Sequence, residues 1–223
     1  MQFVVLSSSR GTTFQAILDA LREGTLMAQC LGLVADRPDR GCIAKAEAAG
    51  LPVVVVEKKM GDPPSLACGE RGRARGREEY DRRLHEAIRG LRTKDGGQES
   101  TVLPPLSFVL ACIGWMSIFS PWFIQQWRNR ILNVHPALLP KHGGEGMFGM
   151  RVHEAVLASG EKESGMTIHL MDEGVDTGRI LLQRRCPVLP EDTPETLRVR
   201  VQELEKEWYP RVLQMLHTGE IQL

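Results

Sequence analysis

The sequence predicts an α/β fold: a doubly wound, mostly parallel sheet with helices on both faces and antiparallel edge strands near the C-terminus. Three observations predict it. Short β-branched runs alternate with segments of helical periodicity from residue 2 to residue 135. Those runs are apolar at nearly every position, as strands buried on both faces are. After residue 164 the alternation stops, and two strand-like runs follow each other across a turn-rich connection.

The elements come in order. "QFVVLS" (2–7) is the first strand. "TTFQAILDALREG" is a helix with Phe14, Ile17, Leu18 and Leu21 at helical spacing and Gly24 as its stop. "AQCLGLVAD" is a strand, "GCIAKAEAAG" a short helix ending in Gly50, and "LPVVVVE" a third strand. "REEYDRRLHEAIRGL" (77–91) is a charged amphipathic helix. "LSFVLACIG" (106–114) is a buried strand, "PWFIQQW" starts a helix at proline, and "RILNVH" is the fifth strand. This rhythm is Rossmann-like. "GMTIHLM" and "GRILLQRRCPV" form the antiparallel pair. "TPETLRVRVQELEKEWYPRVLQMLHTGE" is a long last helix with a Thr-Pro start, in which Pro210 predicts a kink or a break.

A length of 223 residues fits one domain, 1–223. The stretches 58–76 and 93–105, rich in Gly, Pro and charge, are surface insertions on this reading. Lys+Arg and Asp+Glu both number 28, so bulk charge does not point to nucleic acid. "GERGRARGR" has no interleaved aromatics and suits a solvated basic loop. The five cysteines, Cys30, Cys42, Cys68, Cys112 and Cys186, form no CxxC pair. They are expected to be reduced thiols of a cytoplasmic protein. The opening run "MQFVVLSSS" lacks the basic n-region and long apolar h-region of a signal peptide, and no apolar run reaches membrane-spanning length.

Chemistry is expected at the carboxyl ends of the strands. "ILNVHPALLPK" (131–141) puts Asn133 and His135 on one side of an extended chain at such an end. Pro136 keeps His135 out of the α region, so the imidazole is held on extended backbone. An amide can donate to a reacting carbonyl oxygen, and an imidazole can move a proton or support an oxyanion. The same two residues could instead cap the strand end by hydrogen bonds. The first strand ends in "SSSRGTTFQ", a small-residue loop entering a helix N-terminus. It could cradle a phosphate, with Arg10 adding charge, or form a plain turn capped by Thr12 or Thr13. It is neither a dinucleotide nor a Walker loop. "DEGVDTG" (172–178) carries Asp172, Glu173 and Asp176, without the spacing of a calcium loop. His85, His142 and His217 suit the surface. His169, alternating with apolar neighbours, suits a satisfied structural role, and His153 suits a local bond.

"NVHPALLPK" together with "HLMDEGVDTG" resembles the phosphoribosylglycinamide (GAR) formyltransferases, folate-dependent enzymes of purine synthesis. Supporting matches are "VVLSSSRGTTFQAILDA", "REEYDRRL", "GWMSIFSP", "VHEAVLASGEKESGMTIH" and "VQELEKEWYP". The resemblance implies a catalytic trio. Asn133 would hold the formyl oxygen, His135 would stabilise the oxyanion, and Asp176 would orient His135 and organise a proton-relaying water. It also implies a substrate phosphate on Arg10, Gly11, Thr12 and Thr13, with Glu205 receiving ribose hydroxyls. The co-substrate 10-formyltetrahydrofolate would meet Arg77, Trp115, Met116, Ser117, Ile118, Phe119, Asn133, Met171, Asp172 and Asp176. No metal is implied, and no nucleic acid or membrane partner. The molecule would act as a monomer or homodimer on small molecules. Ser9, Arg10 and Thr13 depart from the family's S-G-N-G-S-N loop, and Ser117 stands where arginine is usual. Arg10 is expected to compensate by pairing with the phosphate, and Leu139–Pro140 to be cis. Sibling activities remain alternatives: formyl transfer to an amino sugar nucleotide, or formyl-tetrahydrofolate hydrolysis.

Overall fold

The computed structural model describes residues 1–59, 73–93 and 108–223. One seven-stranded sheet runs in the order β3-β2-β1-β4-β5-β6-β7. The strands are β1 (Gln2–Ser7), β2 (Gln29–Ala35), β3 (Val53–Val55), β4 (Phe108–Cys112), β5 (Ile131–His135), β6 (Glu163–Leu170) and β7 (Ile180–Pro187). β1 to β5 are parallel, whereas β6 pairs antiparallel with β5 and β7 antiparallel with β6. The helices are α1 (Thr12–Glu23), α2 (Gly41–Ala48), α3 (Arg73–Thr93), α4 (Pro121–Gln126), α5 (Met150–Ala158) and α6 (Pro194–Thr218).

Strand periodicity explains the two layers. In β1, Phe3 and Val5 join a core with Phe14 and Ile17 of α1 and Tyr209 and Leu213 of α6. Val4 and Leu6 point the other way, to Tyr80, Leu84 and Ile88 of α3 and Phe123 of α4. Both faces of the central strands are therefore dry, which requires apolar residues throughout.

Three expectations meet corrections or limits here. Residues 60–72 and 94–107, most of the two expected insertions, lie outside the described residues, with Cys68 among them. Residues 73–76 belong to α3 rather than to a surface excursion. Pro210 does not break α6, which is one helix from Pro194 to Thr218. A mid-helix proline forfeits a hydrogen bond at about 3 kcal/mol. Tyr209, Val212 and Leu213 on either side of it are fully buried, and that packing holds the helix together. The capping box of Thr193 and Thr196 and Pro194 in the first turn start α6 as expected. The Leu139–Pro140 bond is cis.

The strand order reverses at β1, whose neighbours are β2 and β4. A crevice opens there beyond the carboxyl ends of the strands. Across it, Ser8 N–H donates to the Gly114 carbonyl at 3.3 Å. Gly114 has φ 61°, and a Cβ on it would sit 2.9 Å from Ser9 Cβ, so the two loops touch because residue 114 has no side chain.

Candidate active site

β5 ends in the cleft, and Asn133 and His135 are two residues apart on it, so both side chains point the same way. The acidic turn after β6 brings Asp176 to them. One carboxylate oxygen, Oδ2, lies 3.3 Å from His135 Nδ1. The other, Oδ1, lies 3.5 Å from His169 Nε2. Gly144 N–H donates to Oδ2 at 3.1 Å. Asp176 has φ 59°, a left-handed conformation uncommon outside glycine, and strain of this kind persists where surrounding contacts fix it. Its acidic neighbours are not equivalent to it. Asp172 accepts from Gly174 N–H at 3.1 Å and from the Thr177 hydroxyl at 2.6 Å, and so shapes the turn itself. Glu173 is exposed.

His135 is 4% exposed. Its Nε2 lies 2.8 Å from the His142 carbonyl oxygen, which can only accept, so Nε2 carries a proton. In the neutral ring Nδ1 then presents a lone pair to Asp176. A second proton on Nδ1 would convert that contact into an N–H···O⁻ bond. Two effects compete. Burial holds the imidazole below its ordinary pKa, while Asp176 and the His142 carbonyl pull upward and only partly offset it. Burial also presses the Asp176 carboxyl upward. The neighbouring His169 and His135 rings and the Gly144 N–H outweigh that, and its pKa ends below the ordinary value.

Sequence reasoning missed three members of this cluster. His169 faces Asn133 directly in the β5–β6 ladder. Its Nδ1 donates to the Leu170 carbonyl at 3.0 Å, which leaves Nε2 of the neutral ring to accept from the Asn133 amide at 3.2 Å. Pairing β5 with β6 in register would have revealed this cross-strand contact. His142, expected at the surface, supplies the carbonyl that holds His135. Gly144, from the loop "HGGEGMFG", supplies the donor to Asp176. His153, expected to bond locally, is 2% exposed, and its Nδ1 has no partner among the described residues.

One cleft collects most of the predicted residues. Trp115, Met116, Ser117, Ile118, Phe119, Asn133, His135, Met171, Asp172, Asp176 and Glu205 all line it. Trp115 and Phe119 stack with ring centres 6.1 Å apart and make one wall apolar. Ser117 is buried, and its hydroxyl has no partner among the described residues. Arg77 is not on this wall; it lies one turn before Asp81 on α3.

Arg10, Gly11, Thr12 and Thr13 are not on the wall either, but α6 ties their loop to it. Thr13 donates to Glu205 at 3.3 Å, and Gln202 donates to Thr12 at 2.8 Å. Gly11, at φ 78°, is the N-cap of α1, and neither threonine caps it. The serines brace the loop: the Ser7 hydroxyl donates to the Ile113 carbonyl at 2.8 Å, and Gly11 N–H donates to Ser9 Oγ at 3.1 Å. Burial pushes the Glu205 carboxyl up to about 7, against the opposing Thr13 bond and the charges of Arg198 and Lys206.

Known proteins share the sequence pattern and the fold of this chain. The family model described as "Formyl transferase" matches residues 1–213. A chloroplastic phosphoribosylglycinamide formyltransferase from Vigna unguiculata is 34% identical over 215 residues, covering 96% of this chain and 60% of that protein. The trifunctional purine biosynthetic protein adenosine-3 of Drosophila melanogaster is 34% identical over 218 residues. That match covers 96% of this chain and 14% of the fly protein, so the chain spans a small part of that relative. The crystal structure of glycinamide ribonucleotide transformylase 1 from Symbiobacterium toebii superposes with a TM-score of 0.79 at 29% identity, covering 98% of this chain and 88% of that one. The chain belongs to the formyl transferase family, whose model matches it over residues 1–213.

Proposed function

We propose that this chain transfers the formyl group of 10-formyltetrahydrofolate to the primary amine of GAR, a step of purine biosynthesis in the cytoplasm. The observation that carries this reading is the convergence of Asn133, His135 and Asp176 in a cleft that Glu205 also lines. The apolar wall of Trp115, Ile118, Phe119 and Met171 suits a flat aromatic ring, and the backbone groups of the loops suit its polar edge. The substrate's phosphate would lie at the β1–α1 loop and its ribose hydroxyls at Glu205.

The chemistry follows from the side chains. Attack of an amine on a formyl carbon creates an oxyanion, and fixed donors lower that barrier. Asn133 has one amide hydrogen committed to His169 and one left for the formyl oxygen. His135 would release the His142 carbonyl and turn its Nε2–H to the developing oxyanion. Gly143 beside that carbonyl gives the loop freedom to yield. A second proton taken up from solvent at Nδ1 and kept through turnover would let Asp176 stabilise the imidazolium, while the amine's proton passes, by way of a water beside Asp176, to the departing folate nitrogen. Proton loss and proton gain balance, so no covalent enzyme intermediate is required.

The test follows release of folate by absorbance, with GAR supplied and then withheld. Turnover only with GAR supports the reading. Turnover without GAR makes the protein a hydrolase, and none under either condition refutes both.

A further inference from the structure

Arg198 is a cation in the cleft wall that lacks a counter-ion among the described residues. α6 carries Arg198, Arg200, Arg211 and Lys206. Arg200 pairs with Asp192 at 2.6 Å, Arg211 with Glu207 at 2.9 Å, and Lys206 with Glu203 at 2.7 Å. Arg198 differs: among the described residues its guanidinium has neither an ion pair nor a hydrogen bond. It is half-buried and lines the cleft. Its spacing to Gln202 and Glu205, four and then three residues, puts all three on one face of α6.

The surroundings do not compensate the charge. His153 of α5 lines the same cleft. Burial first, and then the charges of Arg198 and His135, pull its pKa down to about 4. The ring is therefore neutral at physiological pH, and its buried Nδ1 has no partner. Glu205 feels the charge of Arg198, but makes its bond to Thr13. A cleft-lining guanidinium whose donors are unused among the described residues can offer its N–H groups to an anion that enters there. The direction in which that anion lies is also fixed. Gln202, one turn on, bonds Thr12, the first residue of α1, whose helix N-terminus has free N–H groups and a favourable dipole for anions.

We propose that Arg198 clamps the phosphomonoester of the substrate from the α6 side, facing the β1–α1 loop across that end of the cleft. The naming of the substrate rests on the functional reading above; the place of Arg198 on the cleft wall, without a counter-ion among the described residues, does not. A planar guanidinium can grip two phosphate oxygens at once, which a glutamine at position 202 cannot.

Ribose 5-phosphate is the probe, with ribose as control, and calorimetry the measurement, on the intact protein and on Arg198→Ala and Arg198→Gln. The expected result is binding of ribose 5-phosphate that weakens roughly 10–100-fold in both variants, at unchanged melting temperature. Arg198→Lys should recover part of the loss, and ribose should show no dependence on residue 198. In the transfer assay the KM for GAR should rise by a similar factor, with kcat and the KM for folate nearly unchanged. Equal affinity of wild type and variants overturns the proposal, as does failure of the wild type to bind ribose 5-phosphate. If binding depends on Arg198 but GAR is not formylated, the phosphate clamp stands and the functional reading falls.

Discussion

Asn133 and His169 stand opposite each other in the β5–β6 ladder, and their side chains meet at 3.2 Å. Because His169 Nδ1 is committed to the Leu170 carbonyl, Nε2 orients the amide by accepting from it. Asn133 thus keeps its remaining N–H turned into the cleft. His169→Ala should lower kcat by roughly 10–30-fold, the equivalent of one lost hydrogen bond's worth of alignment. The KM for GAR should move much less. Steady-state rates at saturating folate check this, and an unchanged kcat would reduce His169 to packing.

Asp176 lies beside both imidazoles, at 3.3 Å from His135 and 3.5 Å from His169, so replacing it removes a charge that faces two rings at once. Asp176→Asn should cut kcat by roughly 10²–10⁴-fold, in the range of a lost acid–base and electrostatic partner. Folate-analogue affinity measured by fluorescence should persist. A variant at near wild-type speed would show that His135 works without the carboxylate.

Glu205 provides a pH test with a defined sign. Its folded-state pKa, about 7, lies above the ordinary value of 4.5. The folded protein therefore binds the proton more tightly than the unfolded chain. Stability is favoured below the ordinary value and declines as pH rises toward about 7. Glu205→Gln should remove that decline and raise the melting temperature at pH 8 more than at pH 4.5. The same variant should raise the KM for GAR, and wild-type KM should fall between pH 6 and 8 as the carboxylate ionises. Melting curves at the two pH values and a pH–KM series decide it; parallel melting curves would argue against the shifted carboxyl.

Gly178 closes the acidic turn. A Cβ there would collide with the Leu170 carbonyl and lie 3.3 Å from Asp172 N. Gly178→Ala should cost about 1–3 kcal/mol of stability through forced displacement. It should also lower kcat, because Asp176 is carried on the displaced segment. Chemical denaturation and kinetics on the same preparation check both effects together.

Arg10 is exposed, and its backbone abuts α2: a Cβ on Gly41 would lie 3.2 Å from Arg10 Cα. If Arg10 pairs with the phosphate from the loop side, Arg10→Ala should raise the KM for GAR only about 2–5-fold, the scale of a solvent-screened ion pair. The effect should shrink at high salt. An unchanged KM at low salt would leave the loop's backbone as its only contribution.

Much of the fold was legible because its signals are local. Five apolar runs with helices between them can only be a parallel sheet covered on both faces, and Gly24 and Thr193–Pro194 mark their helix ends by chain geometry alone. Pro210 misled because the cost of a proline is local, whereas the packing of Tyr209 and Leu213 that overrides it is not. The amide and imidazole at the end of β5 were also visible, since two residues along a strand share a face. Spacing alone did not choose Asp176 over Asp172 and Glu173. Resemblance to a family chose it, and the left-handed backbone at residue 176 explains why that carboxylate, and not its neighbours, faces the imidazoles. The sequence by itself thus determined the layers and the strand that presents the chemistry, because periodicity of two and of 3.6 is written residue by residue. The tertiary structure decided which side chains from separate segments share the cleft: His169 through ladder register, His142 and Gly144 through a glycine loop, and Arg198 through the face of α6 that it shares with Gln202 and Glu205. Those meetings depend on register and on loop dihedrals, and neither leaves a periodic trace along the chain.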